Sequence, residues 1–590
     1  MRREGSGAPA SAASTPGAWA VFFRLLAAMR RQAGWMALAV LLSAAASLAH
    51  VGLMAASGWF ISAMALAGVA GAAMNPFTAS AAIRAFALLR TVARYAERLL
   101  GHDATLRFVA DLRPWFFRRL VPLAPAVLEG ERSGDLLARL AGDIDRMEFA
   151  FLRILSPALT AVVVVLVAVA FAALWSGAAA LVLAVLALLA GGLIPLAVHR
   201  LGAAASARVA RDTGAFEAAL VDHLEGQAEL LVYDGDGRHR RRVEAAGDAL
   251  LADARHLAGV AAAGTAGVGF AGQAALLGVL LAGAPVALGG ALAGPDLVML
   301  ALMALALFDA LAPLPAAVQA LPATLASARR LFALADRAPP VAEAGAADVP
   351  AQGTLAFRNV CLTYPGATRP ALAGIDLDLV PGRRVAVVGP SGSGKSSLVA
   401  LALRFRAADA GRITFAGRDV ALLDADALRR RLAVLQQHDH VFAATVAENL
   451  ALADPQAPPA RRAAACATAG ILDVIDAEPD GFATFVGAHG ASLSGGQARR
   501  LNLARTLLKD APLLILDEPL EGLDTQTARA VIAAVLDEAR DRAVLLITHR
   551  ASGLDLMDEI VLMNEGRIAD RGSASVMLPK IAALRADDAS

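Results

Sequence analysis

The sequence predicts an all-α membrane domain of six spanning helices followed by an α/β domain built on a phosphate-binding loop. Three observations carry this expectation. Six apolar runs precede residue 320, near 34–57, 77–99, 154–175, 177–198, 258–283 and 295–317. Each is long enough to cross a hydrocarbon core of roughly 30 Å. A glycine-rich loop, Gly389-Pro390-Ser391-Gly392-Ser393-Gly394-Lys395-Ser396, directly follows a short apolar run at 384–388. Beyond residue 353, short apolar runs alternate with helical patterns, as a parallel α/β sheet requires.

Composition agrees. Hydrophobic residues make up 57% of the chain and the mean hydropathy is +0.57, too apolar for an ordinary soluble protein. Aromatics are only 5%, so Ala, Leu and Val carry the hydrophobicity. A formal charge of +1 over 590 residues gives no argument for nucleic acid as a partner. Cys361 and Cys466 have neither CxxC spacing nor a nearby His in a ligand pattern. They read as buried or idle thiols rather than metal ligands.

Taken in order, residues 1–17 are rich in Ala, Ser, Pro and Gly and read as a disordered cytoplasmic tail. Residues 18–31 read as an amphipathic helix on the membrane surface. The membrane domain then extends to 335. Its run at 161–174 contains no charge, which argues against a soluble helical core. The second run is the least apolar, because it carries Arg84, Arg90 and Arg94. The short connections at 66–76, 176–177 and 284–294 contain no Lys or Arg, whereas those at 100–153 and 199–257 are dense with Arg. Positive charge marks the cytoplasmic side, so both termini are expected there. The long connections keep helical periodicity and should extend the membrane helices, with turning points at 129–135 and 223–227. Residues 336–352 lose periodicity and gain Pro, Ala and Gly, a linker before the 353–590 domain.

The chemistry lies in that last domain. Glycines let backbone N–H groups wrap phosphates, and the helix expected from Lys395 adds the favourable field of its N-terminus. Lys395 would pair with the β and γ phosphates of a nucleotide, and the Ser396 hydroxyl would coordinate Mg²⁺. Only three lysines occur in the chain, Lys395, Lys509 and Lys580. A lysine kept at this position suits a need for a compact ammonium. The apolar run 513–516 ends in Asp517, placed to hold the Mg²⁺ shell, with Glu518 next to polarise the attacking water. His549 ends another apolar run, 544–547, within reach of a γ-phosphate.

Between these lies Leu493-Ser494-Gly495-Gly496-Gln497. In this order the motifs resemble ABC ATPases. The resemblance implies ATP and Mg²⁺ as cofactors, bound by Gly389, Ser391, Gly392, Ser393, Gly394, Lys395, Ser396 and Ser397. It implies that Ser494, Gly495, Gly496 and Gln497 complete an ATP site built on a second ATPase domain. Gln437 would sense Mg²⁺ and water, Tyr364 would stack on adenine, and Asp524 would belong to the loop joining the two ATP sites. The hairpin turns would form short transverse helices. One departure is visible: the stretch Val486-Gly487-Ala488-His489-Gly490 lacks the glutamate often present there.

Six spans and one ATPase domain resemble a half-transporter of the exporter type, which must pair with a second. Ser57-Gly58-Trp59-Phe60-Ile61, Arg94-Tyr95, Glu97-Arg98-Leu99, His102-Asp103-Ala104-Thr105-Leu106-Arg107 and Glu521-Gly522-Leu523-Asp524 narrow this. They are similar to the CydC-type subunits of heterodimeric thiol exporters. That resemblance implies a CydD-like partner, a multi-pass location in the bacterial inner membrane, and export of cysteine or glutathione in support of cytochrome bd assembly. It also implies b-type haem, as cofactor or as cargo. His102 would then ligate iron, with Arg98 or Arg94 pairing to propionates; the competing reading is a histidine that caps or hydrogen-bonds at a helix bend. His50, inside the first span, is the weaker haem candidate against a helix–helix hydrogen bond. Arg84 has two readings: contact with a substrate or carboxylate, or an inter-subunit ion pair or snorkelling. Two other functions stay open at this point, a homodimeric lipid or drug exporter and a haem-binding redox-regulatory ATPase.

Overall fold

The computed structural model describes residues 17–128, 136, 139–235, 237–341, 348–437, 439–487, 490 and 492–588. The expected tail apart from Gly17, the turning point at 129–135 and the Ala488-His489 pair lie outside the described residues. The chain forms two compact units, Met1–Leu123 with Leu128–Ala338, and Ala124–Val127 with Pro339–Ser590.

The first unit is helical. Its elements are α1 (Ala18–Ala28), α2 (Ala33–Val69), α3 (Pro76–Leu120), α4 (Ile144–Trp175), α5 (Gly177–Glu225), α6 (Gln227–Tyr233), α7 (Arg238–Leu288), α8 (Gly294–Asp309) and α9 (Leu314–Ala335). Five stretches among the described residues are long and apolar enough to cross a membrane: α1 with α2, α4, α5, α7, and α8 with α9. The stretch expected at 77–99 is not among them, because its arginines lower its hydropathy. It is nonetheless part of one unbroken helix. Asn75 caps α3 by accepting from the Phe77 N–H at 2.9 Å, and Pro76 fills the first turn, where a missing N–H costs nothing. At 1.5 Å per residue the 45 residues of α3 extend about 67 Å. The helix thus runs well beyond the expected span and takes in part of the Arg-rich connection.

Small residues set the packing. A Cβ on Gly58 of α2 would lie 2.7 Å from Leu302 Cδ1 of α8, and one on Gly264 of α7 would lie 2.6 Å from Val198 Cγ2 of α5. Backbones therefore approach closely, as membrane helices need when apolar burial gives little net drive between them. Val164, Ala172, Leu183, Val268, Leu300 and Leu307 fill the centre of the bundle. The expected amphipathic helix is shorter than 18–31: α1 stops at Ala28 and a 3₁₀ turn, Met29–Gln32, follows. Val21 and Leu25 face inward, and Arg24 pairs with Asp336 while lying 4.2 Å over the Phe332 ring.

One buried charge organises the region before α4. The Asp143 carboxylate accepts from Arg330 Nε at 3.0 Å and Nη2 at 2.6 Å, from Ser327 Oγ at 2.7 Å and from Arg146 Nη1 at 3.3 Å. Beside it opens a cavity of about 650 Å³ lined in part by Arg146, Arg211, Glu217, Gln319 and Arg330.

The second unit carries two sheets. Strands β1 (Leu355–Leu362), β2 (Leu372–Leu379), β3 (Arg384–Val388), β4 (Ala410–Phe415), β5 (Arg418–Asp419), β6 (Leu432–Leu435), β7 (Leu513–Asp517), β8 (Ala543–Ile547), β9 (Glu559–Asn564) and β10 (Arg567–Gly572) divide into a four-stranded sheet, β2-β1-β4-β5, and a six-stranded one, β10-β9-β3-β8-β7-β6. The first is antiparallel; in the second, β9, β3, β8, β7 and β6 run parallel. β7 and β8 are buried along their whole length, the unbroken apolar signature of strands covered on both faces. The helices of this unit include α10 (Lys395–Ala402), α11 (Gly495–Leu508) and α12 (Thr525–Glu538). Cys466 is fully buried in the core of this unit, and burial pushes its thiol up to about 12. Cys361 is half-buried and free.

Candidate nucleotide site

The strand register decides what meets at the sheet's edge. Val387 of β3 pairs with Ile547 of β8, and Ile547 pairs with Asp517 of β7. Leu435 of β6 pairs with Leu516. The phosphate loop, the Asp517-Glu518 pair, His549 and Gln437 therefore all leave the sheet at one end.

The loop between β3 and α10 needs its glycines. Gly394 sits at φ +98, a region that side chains rarely adopt, and a Cβ there would run into the carbonyl of Ala371. Lys395 Nζ donates to the carbonyls of Gly389 at 2.9 Å and Pro390 at 2.8 Å and lies 3.4 Å from Ser393 Oγ. Burial holds its pKa below the usual lysine range, opposed by the carboxylates of Glu518 and Asp517. Ser391, Gly392 and Ser396 lie on the loop and at its helix junction, while Ser393 and Ser397 are buried beneath it.

Asp517 is buried at the end of β7. Burial raises its pKa, and a hydrogen bond with Ser396 opposes that rise. A buried carboxylate beside a hydroxyl is an oxygen donor set that suits Mg²⁺. Glu518, also buried, has φ +54, a strained conformation for a residue with a side chain. Its N–H donates to Ile547 O at 2.9 Å, and its Oε1 lies 2.8 Å from His549 Nδ1. The structure thus brings Lys395, Ser396, Asp517, Glu518 and His549 together.

Gln437 is exposed just past β6. Tyr364 reaches the loop from the other sheet. Its hydroxyl is 3.1 Å from Ser397 Oγ, the Arg406 guanidinium lies 4.5 Å over its ring, and the half-buried ring packs against the core beneath. Arg406 also donates to the Ala126 carbonyl at 3.2 Å.

The Ser494 motif stands apart from this cluster. Among the described residues no hydrogen bond joins 494–497 to the phosphate loop. Ser494 caps α11 in a reciprocal box: Gln497 N–H donates to Ser494 Oγ at 3.3 Å, and Ser494 N–H to Gln497 Oε1 at 2.7 Å. Gly496 packs on Gly522, where a Cβ would sit 3.3 Å from the Gly522 carbonyl. Two residues on, Asp524 caps α12 by accepting from Gln526 and Thr527 N–H, each at 3.0 Å, and its bonds to Thr527 and Gln526 lower its pKa. The signature residues and the Asp524 loop thus form one surface.

Arg499 was missed by motif reasoning. From inside α11 its guanidinium donates to four backbone carbonyls: those of Asp517, of Gln436, of Glu518 at 3.0 Å and of Gln437 at 3.0 Å. Burial lowers its pKa. It links the signature helix directly to the turns that carry Glu518 and Gln437. Its only sequence signal is an arginine two residues beyond Gln497 on an otherwise buried helix face.

In the membrane unit, His102 lies in the interior of α3. Well inside the helix, it caps neither end of α3. Its side chain is 60% exposed, and its Nδ1 faces Glu148 Oε1 at 3.6 Å. His50 makes a helix–helix contact, Nε2 to Asp309 Oδ2 at 3.1 Å. Arg84 Nε donates to the Ser80 carbonyl one turn earlier, at 3.2 Å.

A helical membrane unit joined to a phosphate-loop ATPase unit with a capped signature helix defines an ATP-driven transporter, a multi-pass membrane protein of exporter fold. Residues 36–311 match the ABC transporter transmembrane region and 372–521 the ABC transporter family. The chain is 34% identical to the "Glutathione/L-cysteine transport system ATP-binding/permease protein CydC" of Escherichia coli K12, covering 94% of this chain and 97% of that one. It is 30% identical to the corresponding protein named CydD of Bacillus subtilis, over 84% and 86% of the two chains. A solved bacterial Atm1-family ABC exporter with ATP bound aligns at TM-score 0.78 and 26% identity, covering 95% of this chain and 99% of that one. The chain belongs to the ABC transporter family, in its CydC branch, and is an ABC-type transport ATPase that uses ATP and Mg²⁺.

Replacing Arg499 by Lys tests its positioning role, because an ammonium lacks the fork that reaches several carbonyls. The kcat for ATP should fall on the order of 100-fold, as a small misplacement of Glu518 implies, with KM nearly unchanged. An unchanged kcat in steady-state ATPase assays would contradict that role.

Proposed function

We propose that the chain is one half of a heterodimeric exporter, paired with a CydD-like second half-transporter, which moves cysteine or glutathione out of the cytoplasm across the bacterial inner membrane. The observation that carries the reading is the meeting of Lys395, Ser396, Asp517, Glu518 and His549 at one sheet edge in a chain so similar to a glutathione/L-cysteine transport protein. The dense arginine at 100–153 and 199–257 supports a cytoplasmic side for the long helical hairpins and, with them, for both termini.

In this reading Lys395 and the loop N–H groups hold the phosphates of ATP, and Tyr364 stacks on adenine. Ser396 and Asp517 would hold Mg²⁺, with Gln437 completing its surroundings, and the ion would supply charge neutralisation to the phosphates. Glu518 accepts a proton from the attacking water. His549 holds the Glu518 carboxylate in place and reaches toward the γ-phosphate. Ser494 and the following glycines act on ATP held by the partner, and Asp524 lies where the two sites communicate. Transport proceeds as ATP closes the two ATPase domains on each other and hydrolysis reopens them.

A specific contact favours haem as well. A carboxylate beside Nδ1 can turn a histidine's Nε2 outward toward a metal, and here Glu148 Oε1 lies 3.6 Å from His102 Nδ1. His102 and Glu148 have that relation, with Arg98 one turn earlier on α3. His102→Ala should abolish the Soret band of the purified complex reconstituted with haem while leaving ATPase intact; a retained band would exclude His102 as the ligand.

Membrane vesicles holding this chain and its partner should accumulate labelled cysteine or glutathione on addition of ATP. Glu518→Gln removes the general base and should lower hydrolysis about 100-fold or more, with uptake falling in step. Undiminished uptake in that variant would contradict the reading.

A further inference from the structure

We infer that Asp309, at a break in the last membrane-crossing stretch, docks the primary ammonium group of an amino-acid-derived substrate. The inference rests on the export reading above for what the substrate is, but not for the chemistry of the site.

The break is written in the sequence. The apolar stretch Gly294–Ala335 is long enough to cross a membrane, yet α8 stops at Asp309 and α9 starts only at Leu314. Pro313 and Pro315 lack the N–H groups that would carry the helix through. Asp309 lies 15 residues after Gly294, about 22 Å along the axis, so it falls inside a core of roughly 30 Å. Non-helical backbone at that depth persists only where protein covers it or where it lines an aqueous cavity.

The charge at the break points the same way. The Asp309 side chain is 71% exposed in this chain, in a stretch otherwise made mostly of Leu, Ala, Met and Phe. A carboxylate facing lipid at this depth is costly, so an exposed one faces the transport pathway or the partner. The C-terminal carbonyls of α8 add partial negative charge at the same point. Carboxylate and helix end together favour a cation.

The carboxylate is also held. His50, near the middle of α2, donates from Nε2 to Asp309 Oδ2 at 3.1 Å. Its other ring nitrogen is buried without a hydrogen-bond partner, so the ring's polar function here is to hold Asp309. Trp59 Nε1 donates to Asp296 Oδ1 at 3.0 Å further along the same pair of helices, and Gly58 lets α8 approach α2 closely. Among the described residues Asp309 Oδ1 makes no hydrogen bond. One oxygen is fixed and the other is presented, which matches a primary ammonium with three donors. Cysteine and glutathione both carry that group.

The test compares ATPase stimulation of the full chain with its partner in vesicles by cysteine, by N-acetylcysteine, which lacks the ammonium, and by thiol-free ethanolamine. Asp309→Asn keeps an acceptor for His50 and removes the charge; Asp309→Glu restores the charge. Wild type should respond to cysteine at a half-saturating concentration about tenfold below that for N-acetylcysteine. Asp309→Asn should erase this preference and Asp309→Glu recover part of it. An Asp309→Asn protein that keeps the wild-type preference overturns the site while the export reading stands. If thiols fail to stimulate but ethanolamine does so in an Asp309-dependent way, the export reading fails and the site stands. If no ammonium compound depends on Asp309, the site is overturned.

Discussion

The parallel register of β3, β8 and β7 is the constraint on which the ATPase unit depends. Val387, Ile547 and Asp517 pair across three strands, so every loop that follows them leaves at the same level. Nothing else would bring Lys395, Asp517, Glu518 and His549 together from positions so far apart in the chain. The strands hold that register because they are buried on both faces. The hydrophobic effect thus sets the chemistry's geometry through residues that take no part in it.

A second layer sits on this scaffold, and it carries strain and buried charge. Glu518 adopts a left-handed backbone conformation, held by its N–H bond to Ile547 and by Arg499 from below. An arginine buried against four carbonyls is satisfied by dipoles rather than by a carboxylate, so its charge stays available to the site's field. The same guanidinium touches the turn of Gln437, so movement of α11 is felt at both positions. Because Ser494 caps α11, whatever binds at its N-terminus acts on a helix already wired to Glu518. In the membrane unit the corresponding device is the α8–α9 stretch, where prolines interrupt the helix and the turn's N–H groups bond back to Leu307, Phe308 and Leu311.

Much of this was legible in the sequence, for physical reasons. Six apolar runs and an alternating C-terminal pattern indicated the two-unit architecture, because membrane thickness and two-sided burial impose lengths and periods that survive without any alignment. The phosphate loop was readable because glycines at forced conformations leave a spaced signature. Less was readable where long-range packing decides. A helix at 77–99 extended by the connection after it was expected, but its arginines keep it below the hydropathy of a membrane span, and how far it runs, to Leu120, came only from the structure. Arg499 carries no motif of its own, since its partners are carbonyls brought up by the fold. The pairs His50–Asp309 and Trp59–Asp296 join residues 259 and 237 positions apart, a distance no local pattern spans.

The central claim is that this chain supplies half of each of two ATP sites, its phosphate loop to one and its Ser494 surface to the other. Replacing Ser494 with photoreactive benzoylphenylalanine, in the complex with its partner, tests this most directly. With Mg²⁺ and ATP present, illumination should join the chain to a second ATPase domain, and the adduct should disappear without nucleotide. An adduct confined to the chain's own residues, indifferent to ATP, would contradict the account.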